Sequence, residues 1–124
     1  AAAIDYLEFI GWKEITEREE MLTAQLLAGM KKIPGVHILG SGDEKEHCGI
    51  VSFTVDDVHP HDIASILDEA HVAVRAGHHC AQPLLEWLGI SSCARASVAF
   101  YNTPEDVGRF LDQLAQVRRM MGYE

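Results

Sequence analysis

Basic side chains are scarce. Lys and Arg together number ten against nineteen Asp and Glu, a net charge of −9 over 124 residues. That balance leaves no basic face, and so argues against sequence-independent binding to nucleic acid or to anionic lipid. No apolar run approaches the ~20 residues that a membrane-spanning helix needs, and no secretory signal pattern is present. The three cysteines, Cys48, Cys80 and Cys93, cannot all pair with one another. Without an export signal, free thiols in a reducing cytoplasm are the expectation. Repeats, low-complexity stretches and interdomain linkers are also missing. What remains is a chain that is 48% hydrophobic, rich enough in apolar residues for one core and of a size for one domain.

Residues 1–10 read as a helix with no Ser, Thr, Asp or Asn to cap it, as expected of a chain continuing from something longer. Thr16-Glu17-Arg18-Glu19 has the form of a capping box. The helix it would open carries Ile15, Leu22, Leu26, Met30 and Ile33 as an inward stripe, and Pro34-Gly35 would end it. Strands are expected at 36–39 and 49–55, with a polar loop at 40–46 between them. Pro60 suits the first position of a third helix, with Ile63, Ile66, Leu67 and Ala70 inward; His59 and His61 flank it as a solvated turn and cap. A strand at 72–75, a short helix at 83–88 closed by Gly89, and an alternating strand at 94–100 follow. In that last strand Ala94, Ala96, Val98 and Phe100 share one side and Arg95 lies on the other. Thr103-Pro104-Glu105-Asp106 caps a final helix bearing Val107, Phe110, Leu111, Leu114, Val117 and Met121. The fold class is therefore α+β, a single domain of about four strands with helices packed on one side.

The chemistry concentrates in one loop. All seven histidines lie between His37 and His79, and two of them adjoin Cys80 in Arg75-Ala76-Gly77-His78-His79-Cys80-Ala81-Gln82-Pro83. A thiol between a strand and a helix start feels Arg75, an imidazolium from His78 or His79, and the positive end of the helix at Pro83. Each favours the nucleophilic thiolate. Gly77 lets the loop turn sharply. Against this, a cysteine in a generic domain is more often a small buried hydrophobe than a nucleophile, and spacing alone leaves the two readings open. A third reading gathers His78, His79, Cys80 and Cys93 about a metal ion, with His47-Cys48 in reserve. Adjacent residues seldom point at one ion, however, and no C-x-x-C or H-x-x-x-H pair is present, so no metal site is expected.

Arg75-Ala-Gly-His-His-Cys80-Ala-Gln-Pro-Leu84, then Ala94-Arg95-Ala-Ser97, then Phe100-Tyr-Asn-Thr103 before a capped helix, resembles the C-terminal domain of group II (SufS-type) cysteine desulfurases of the class V aminotransferase family. Ala3-Ile4-Asp5-Tyr6 resembles the helix that leads into that domain, so the likeness covers essentially the whole chain. It implies the small C-terminal domain of a fold-type I pyridoxal phosphate (PLP) enzyme. That enzyme takes sulfur from L-cysteine, leaves L-alanine, and passes the sulfur to a small acceptor protein for iron–sulfur cluster assembly. PLP would act as the electron sink, and the parent would be a cytoplasmic homodimer. Carried over residue by residue, Cys80 would become the persulfide and Arg95 would hold the substrate carboxylate. Arg75 would support the site, and His78 and His79 would carry protons or hydrogen-bond the thiol. A planar guanidinium on the strand face opposite the apolar one also suits carboxylate recognition in its own right, though a surface ion pair would account for it equally.

The family's PLP-binding lysine follows a histidine in a preceding large domain. The lysines here are Lys13, Lys31, Lys32 and Lys45, and none follows a histidine. The large domain is thus expected to lie outside this chain, and the chain alone is expected neither to hold PLP nor to desulfurate cysteine. A selenocysteine lyase fragment, a non-enzymatic carrier of sulfane sulfur and a zinc module are the alternatives. Ile4, Leu7, Met120 and Met121 are the expected surface toward the missing domain, with weak self-association as its consequence.

Overall fold

A computed structural model describes residues 1–123. Two helices open the chain, α1 (Ala2–Ile10) and α2 (Trp12–Met30). Gly11 between them sits at φ 102°, a left-handed conformation that glycine adopts at little cost, and its carbonyl takes the Ile15 amide at 3.1 Å to start α2. The expected capping box at Thr16 is therefore not used. The glycine breaks the chain five residues earlier, and Thr16 lies inside the helix. Of the anticipated stripe Ile15, Leu22, Leu26 and Met30 are buried, while Ile33 lies past the end of α2 and is partly buried.

The sheet has four strands, β1 (Val36–Ile38), β2 (Ile50–Val55), β3 (Arg75–Gly77) and β4 (Cys93–Ser97), in the order β1-β2-β4-β3 with every pairing antiparallel. Helix α3 (Pro60–Glu69) joins β2 to β3, and its start is capped as expected, with the His59 Nδ1 accepting from the His61 amide at 3.3 Å. A six-residue helix, α4 (Gln82–Trp87), lies between β3 and β4, and α5 (Pro104–Leu114) and α6 (Val117–Met120) close the chain. The core fills one side of the sheet. Val51, Phe53 and Val55 from β2 and Ala94 and Ala96 from β4 meet Leu22, Leu26, Leu27 and Met30 of α2, Ile63 and Leu67 of α3, and Val107, Phe110 and Leu114 of α5. The α+β class, the four strands and the helices on one side agree with the sequence reading.

Other element boundaries differ as well: the strand expected at 94–100 is Cys93–Ser97, so Val98 and Phe100 lie beyond it. The strand expected at 72–75 begins at Arg75, because His71 at φ 60° and the Val72 amide bonded back to the Leu67 carbonyl at 2.9 Å spend those residues leaving α3. The final helix is two pieces, parted at Ala115 and Gln116. Its start is as read: Thr103 accepts from the Asp106 amide at 3.2 Å while the Asp106 carboxylate takes the Thr103 amide at 2.9 Å, a complete capping box.

Candidate functional site

Strand parity sets the site. Ala94 and Ala96 face the helices, so Cys93 and Arg95, one residue out of phase, face the other way. Register then adds their neighbours. Arg95 stands opposite Arg75 on β3 and opposite Ser52 on β2, and Cys93 stands opposite Gly77. Two guanidinium-bearing residues are thus directly paired across antiparallel strands, an arrangement that costs energy when nothing negative lies between them. Among the described residues neither Arg75 nor Arg95 has a carboxylate at ion-pair distance. The Arg95 Nε is buried without a hydrogen-bond partner. Orphaned buried donors are rare and mark places where a group is wanted.

Beyond Gly77, at φ 126°, the chain turns back on itself. The Ala81 amide donates to the His78 carbonyl at 2.9 Å, and the two residues between, His79 and Cys80, are both left-handed at φ 55° and φ 58°. Positive φ at both central positions is the signature of a type I′ turn, a conformation usually left to Gly, Asn or Asp. Two side-chain-bearing residues in it store strain of about 1–3 kcal/mol apiece, which the surroundings must hold in place. Cys80, at the turn, is exposed. Arg75 to Cys80 together with Gln82 and Pro83 line an open cavity of about 550 Å³.

His79 is half-buried beneath this turn. Its Nε2–H donates to the Cys93 carbonyl at 3.2 Å, and its Nδ1 is buried with no partner. Burial lowers its pKa from 6.5; the bond to the Cys93 carbonyl pulls the other way, and the nearby charges of Arg95, Arg75 and His78 lower it further. His79 is therefore neutral at physiological pH. Of the two imidazoles expected beside the thiol, burial thus disfavours the charged form of His79. The Cys93 thiol is pushed up by burial, with Ser52 and Arg95 acting the other way, and stays protonated. It is the buried cysteine that composition leads one to expect, whereas Cys80 and Cys48 are exposed.

The structure brings Arg75, His78, His79 and Cys80 to one cavity and sets Arg95 beside Arg75 on the adjoining sheet face. Ser52 was missed. Nothing in its local sequence marks it, since only the β2–β4 register places it opposite Arg95. Among the described residues no three His, Cys, Asp or Glu side chains are placed to hold a metal ion, and no helix is long and apolar enough to cross a membrane. The lysines do not fit a PLP linkage at this cavity. Lys13 pairs with Glu17 at 3.7 Å, Lys31 donates to the Gly42 carbonyl at 2.6 Å, Lys45 sits in a short 3-10 turn (Glu44–Glu46), and none of the four lines the cavity around Cys80.

Comparison with known proteins yields a consistent set of matches. A family model described as aminotransferase class-V matches residues 1–110. A protein of Staphylococcus aureus (strain COL) named "probable cysteine desulfurase" is 47% identical over 124 residues, all of this chain and 30% of that protein. The apo structure of a cysteine desulfurase from Thermococcus onnurineus NA1 superimposes with a TM-score of 0.91 at 39% identity, over 96% of this chain and 30% of its own. A mutant C-DES with glycine covalently linked to its PLP cofactor gives a TM-score of 0.59 at 28% identity, over 84% of this chain and 23% of its own. The chain thus spans about 30% of the length of the curated relative it matches.

Proposed function

Because the chain belongs to the aminotransferase class-V family, we propose that it is the C-terminal small domain of a SufS-type cysteine desulfurase. Residues 1–124 form that one domain, and the lysine-bearing large domain lies outside them. The parent takes L-cysteine as substrate, works as a cytoplasmic homodimer, and hands sulfur to a small acceptor protein for iron–sulfur cluster assembly. The observation that carries the reading is an exposed thiol on a strained turn beside two cross-strand arginines that have no carboxylate partner among the described residues.

The roles follow from what each group offers. Arg95, half-buried with an orphaned Nε, receives the substrate carboxylate, for which a planar fork of N–H donors is the natural match. Arg75, on the paired strand, adds positive charge where an anionic sulfur develops. The Cys80 thiolate attacks the substrate sulfur. The new bond is S–S, and the bond that breaks is the one between that sulfur and Cβ. The carbon keeps the electron pair and takes a proton, becoming the methyl group of alanine, while the sulfur stays on Cys80 as a persulfide. PLP is the electron sink this family uses to make such a bond labile, and it would sit on a lysine outside this chain. Exposed His78 is the imidazole left free to exchange protons with solvent.

The test is made on the parent polypeptide carrying this chain and its large domain. Incubation with L-cysteine should release alanine and add the mass of one sulfur to Cys80. Cys80→Ser should abolish the mass gain, and Arg95→Ala should raise KM about 10- to 100-fold, the worth of a charge-assisted contact. Undiminished desulfuration of L-cysteine by Cys80→Ser would overturn the assignment. Undiminished turnover of selenocysteine alone would instead point to a selenocysteine lyase. A mass gain on Cys80 that needs neither Arg95 nor alanine release would identify a sulfur carrier.

A further inference from the structure

We infer that His79 is a positioning residue: its Nε2–H, bonded to the Cys93 carbonyl, latches the left-handed turn to β4 and so aims the Cys80 thiol. The inference deepens the desulfurase reading and rests on it only for the purpose of the aiming.

Several observations converge on this latch. His79 and Cys80 both lie at positive φ, and the bond that closes their turn, from the Ala81 amide to the His78 carbonyl, spans only the turn itself. Nothing in such a bond ties the turn to the rest of the molecule. The contact between His79 and Cys93 does so, joining the turn to the strand that carries Arg95 across 14 positions of sequence. It leaves from a side chain belonging to one of the two strained residues, so the group that holds the strain also bears it. A carbonyl can only accept, so the imidazole must carry its hydrogen on Nε2. In the neutral ring Nδ1 is then a bare acceptor, and it is buried without a partner. A proton carrier needs a path from its nitrogens to the thiol or to water. His79 has one nitrogen committed to backbone and the other sealed, whereas His78 next to it is exposed. The charged and titratable neighbours are Arg75 and His78 on its own segment and Arg95 and Cys93 on β4, and the arginines disfavour a second proton on the ring.

The experiment uses the 124-residue chain and three variants. His79→Ala removes the donor. His79→Gln restores an N–H at nearly the place of Nε2. His79→Asn tolerates left-handed backbone as well as histidine does but offers its N–H too close to the main chain to reach Cys93. Hydrogen exchange at the Ala81 amide reports closure of the turn, and the rate of Cys80 alkylation by iodoacetamide against pH reports the thiol. Loss of the latch should speed Ala81 exchange about three- to tenfold in His79→Ala and His79→Asn, the worth of one hydrogen bond, with His79→Gln near wild type. The pH midpoint of alkylation should be the same in all four proteins. Unchanged Ala81 exchange in His79→Ala, or His79→Gln as fast as His79→Ala, overturns the latch. An alkylation midpoint moved equally by all three substitutions overturns it in favour of proton transfer. Neither readout needs substrate, so failure of Cys80 to take sulfur in the parent would sink the desulfurase reading and leave this result standing.

Discussion

The two faces of the sheet are built on opposite principles. On the covered face Val51, Phe53, Val55, Ala94 and Ala96 meet three helices, and every one of them is buried among carbon. On the bare face the same strands carry Ser52, Arg95, Cys93 and Arg75, with two like charges in register and a buried Nε lacking any partner. The two ionisable groups there whose titration is displaced, His79 and Cys93, are both moved in favour of their neutral forms. One face is satisfied within the chain; the other keeps an unpartnered buried donor and two unpaired guanidinium groups among the described residues. Stability and function are thereby divided between residues that alternate along a single strand. Ala94 and Ala96 serve the first, and Arg95 between them carries the role proposed for the second.

The largest expected effect breaks the covered face. Phe53 is fully buried with its ring edge-on to Phe110 at 6.0 Å. Phe53→Ala should cost about 3–5 kcal/mol, read as a lower urea midpoint at unchanged slope. Arg95→Met, on the neighbouring strand, should behave in the opposite way. It removes one of two opposed cations and breaks no hydrogen bond or ion pair seen among the described residues, so the stability of the chain should hold or rise by up to about 0.5 kcal/mol, while under the proposed function the parent should bind cysteine more weakly. A loss above about 1 kcal/mol in Arg95→Met would mean that the bare face also carries structure, and the division would fail.

The difference between the faces also explains what could be read in advance. Apolar periodicity is a property of the chain, so the buried stripe of α2 and the alternation of β4 were visible before any fold was known. The Thr103 box was visible too, because both of its partners lie within three residues. The Thr16 box has equally good residues and is unused, since Gly11 at positive φ had already started the helix. Local signals compete, and the backbone torsion at one glycine decided between them. The candidate loop was picked out by its residue types. Its geometry was not: the left-handed pair at His79 and Cys80 is a backbone torsion, the burial of the imidazole rests on β4, 14 positions away, and Ser52 stands opposite Arg95 only through the β2–β4 register.

The smallest effect sharpens the comparison by titration. His79 has its pKa below 6.5 in the folded chain, through burial and the arginines nearby, and close to 6.5 once unfolded. As pH falls through 6.5 the unfolded chain therefore binds the proton first, and the folded state is progressively penalised until its own lower pKa is reached. His79's contribution is thus fully present above pH ~6.5 and is lost on acidification. The other six histidines and all the carboxylates are common to wild type and His79→Gln, so the difference between the two proteins isolates this group. Between about pH 7.5 and about pH 5.5 wild type should lose more stability than His79→Gln, and by a modest amount, because solvent reaches part of the ring and screens the arginines. Parallel curves would show that the imidazole titrates as though it stood in water. The bare face would then hold no desolvated base, and its contrast with the covered face would reduce to the arginines alone.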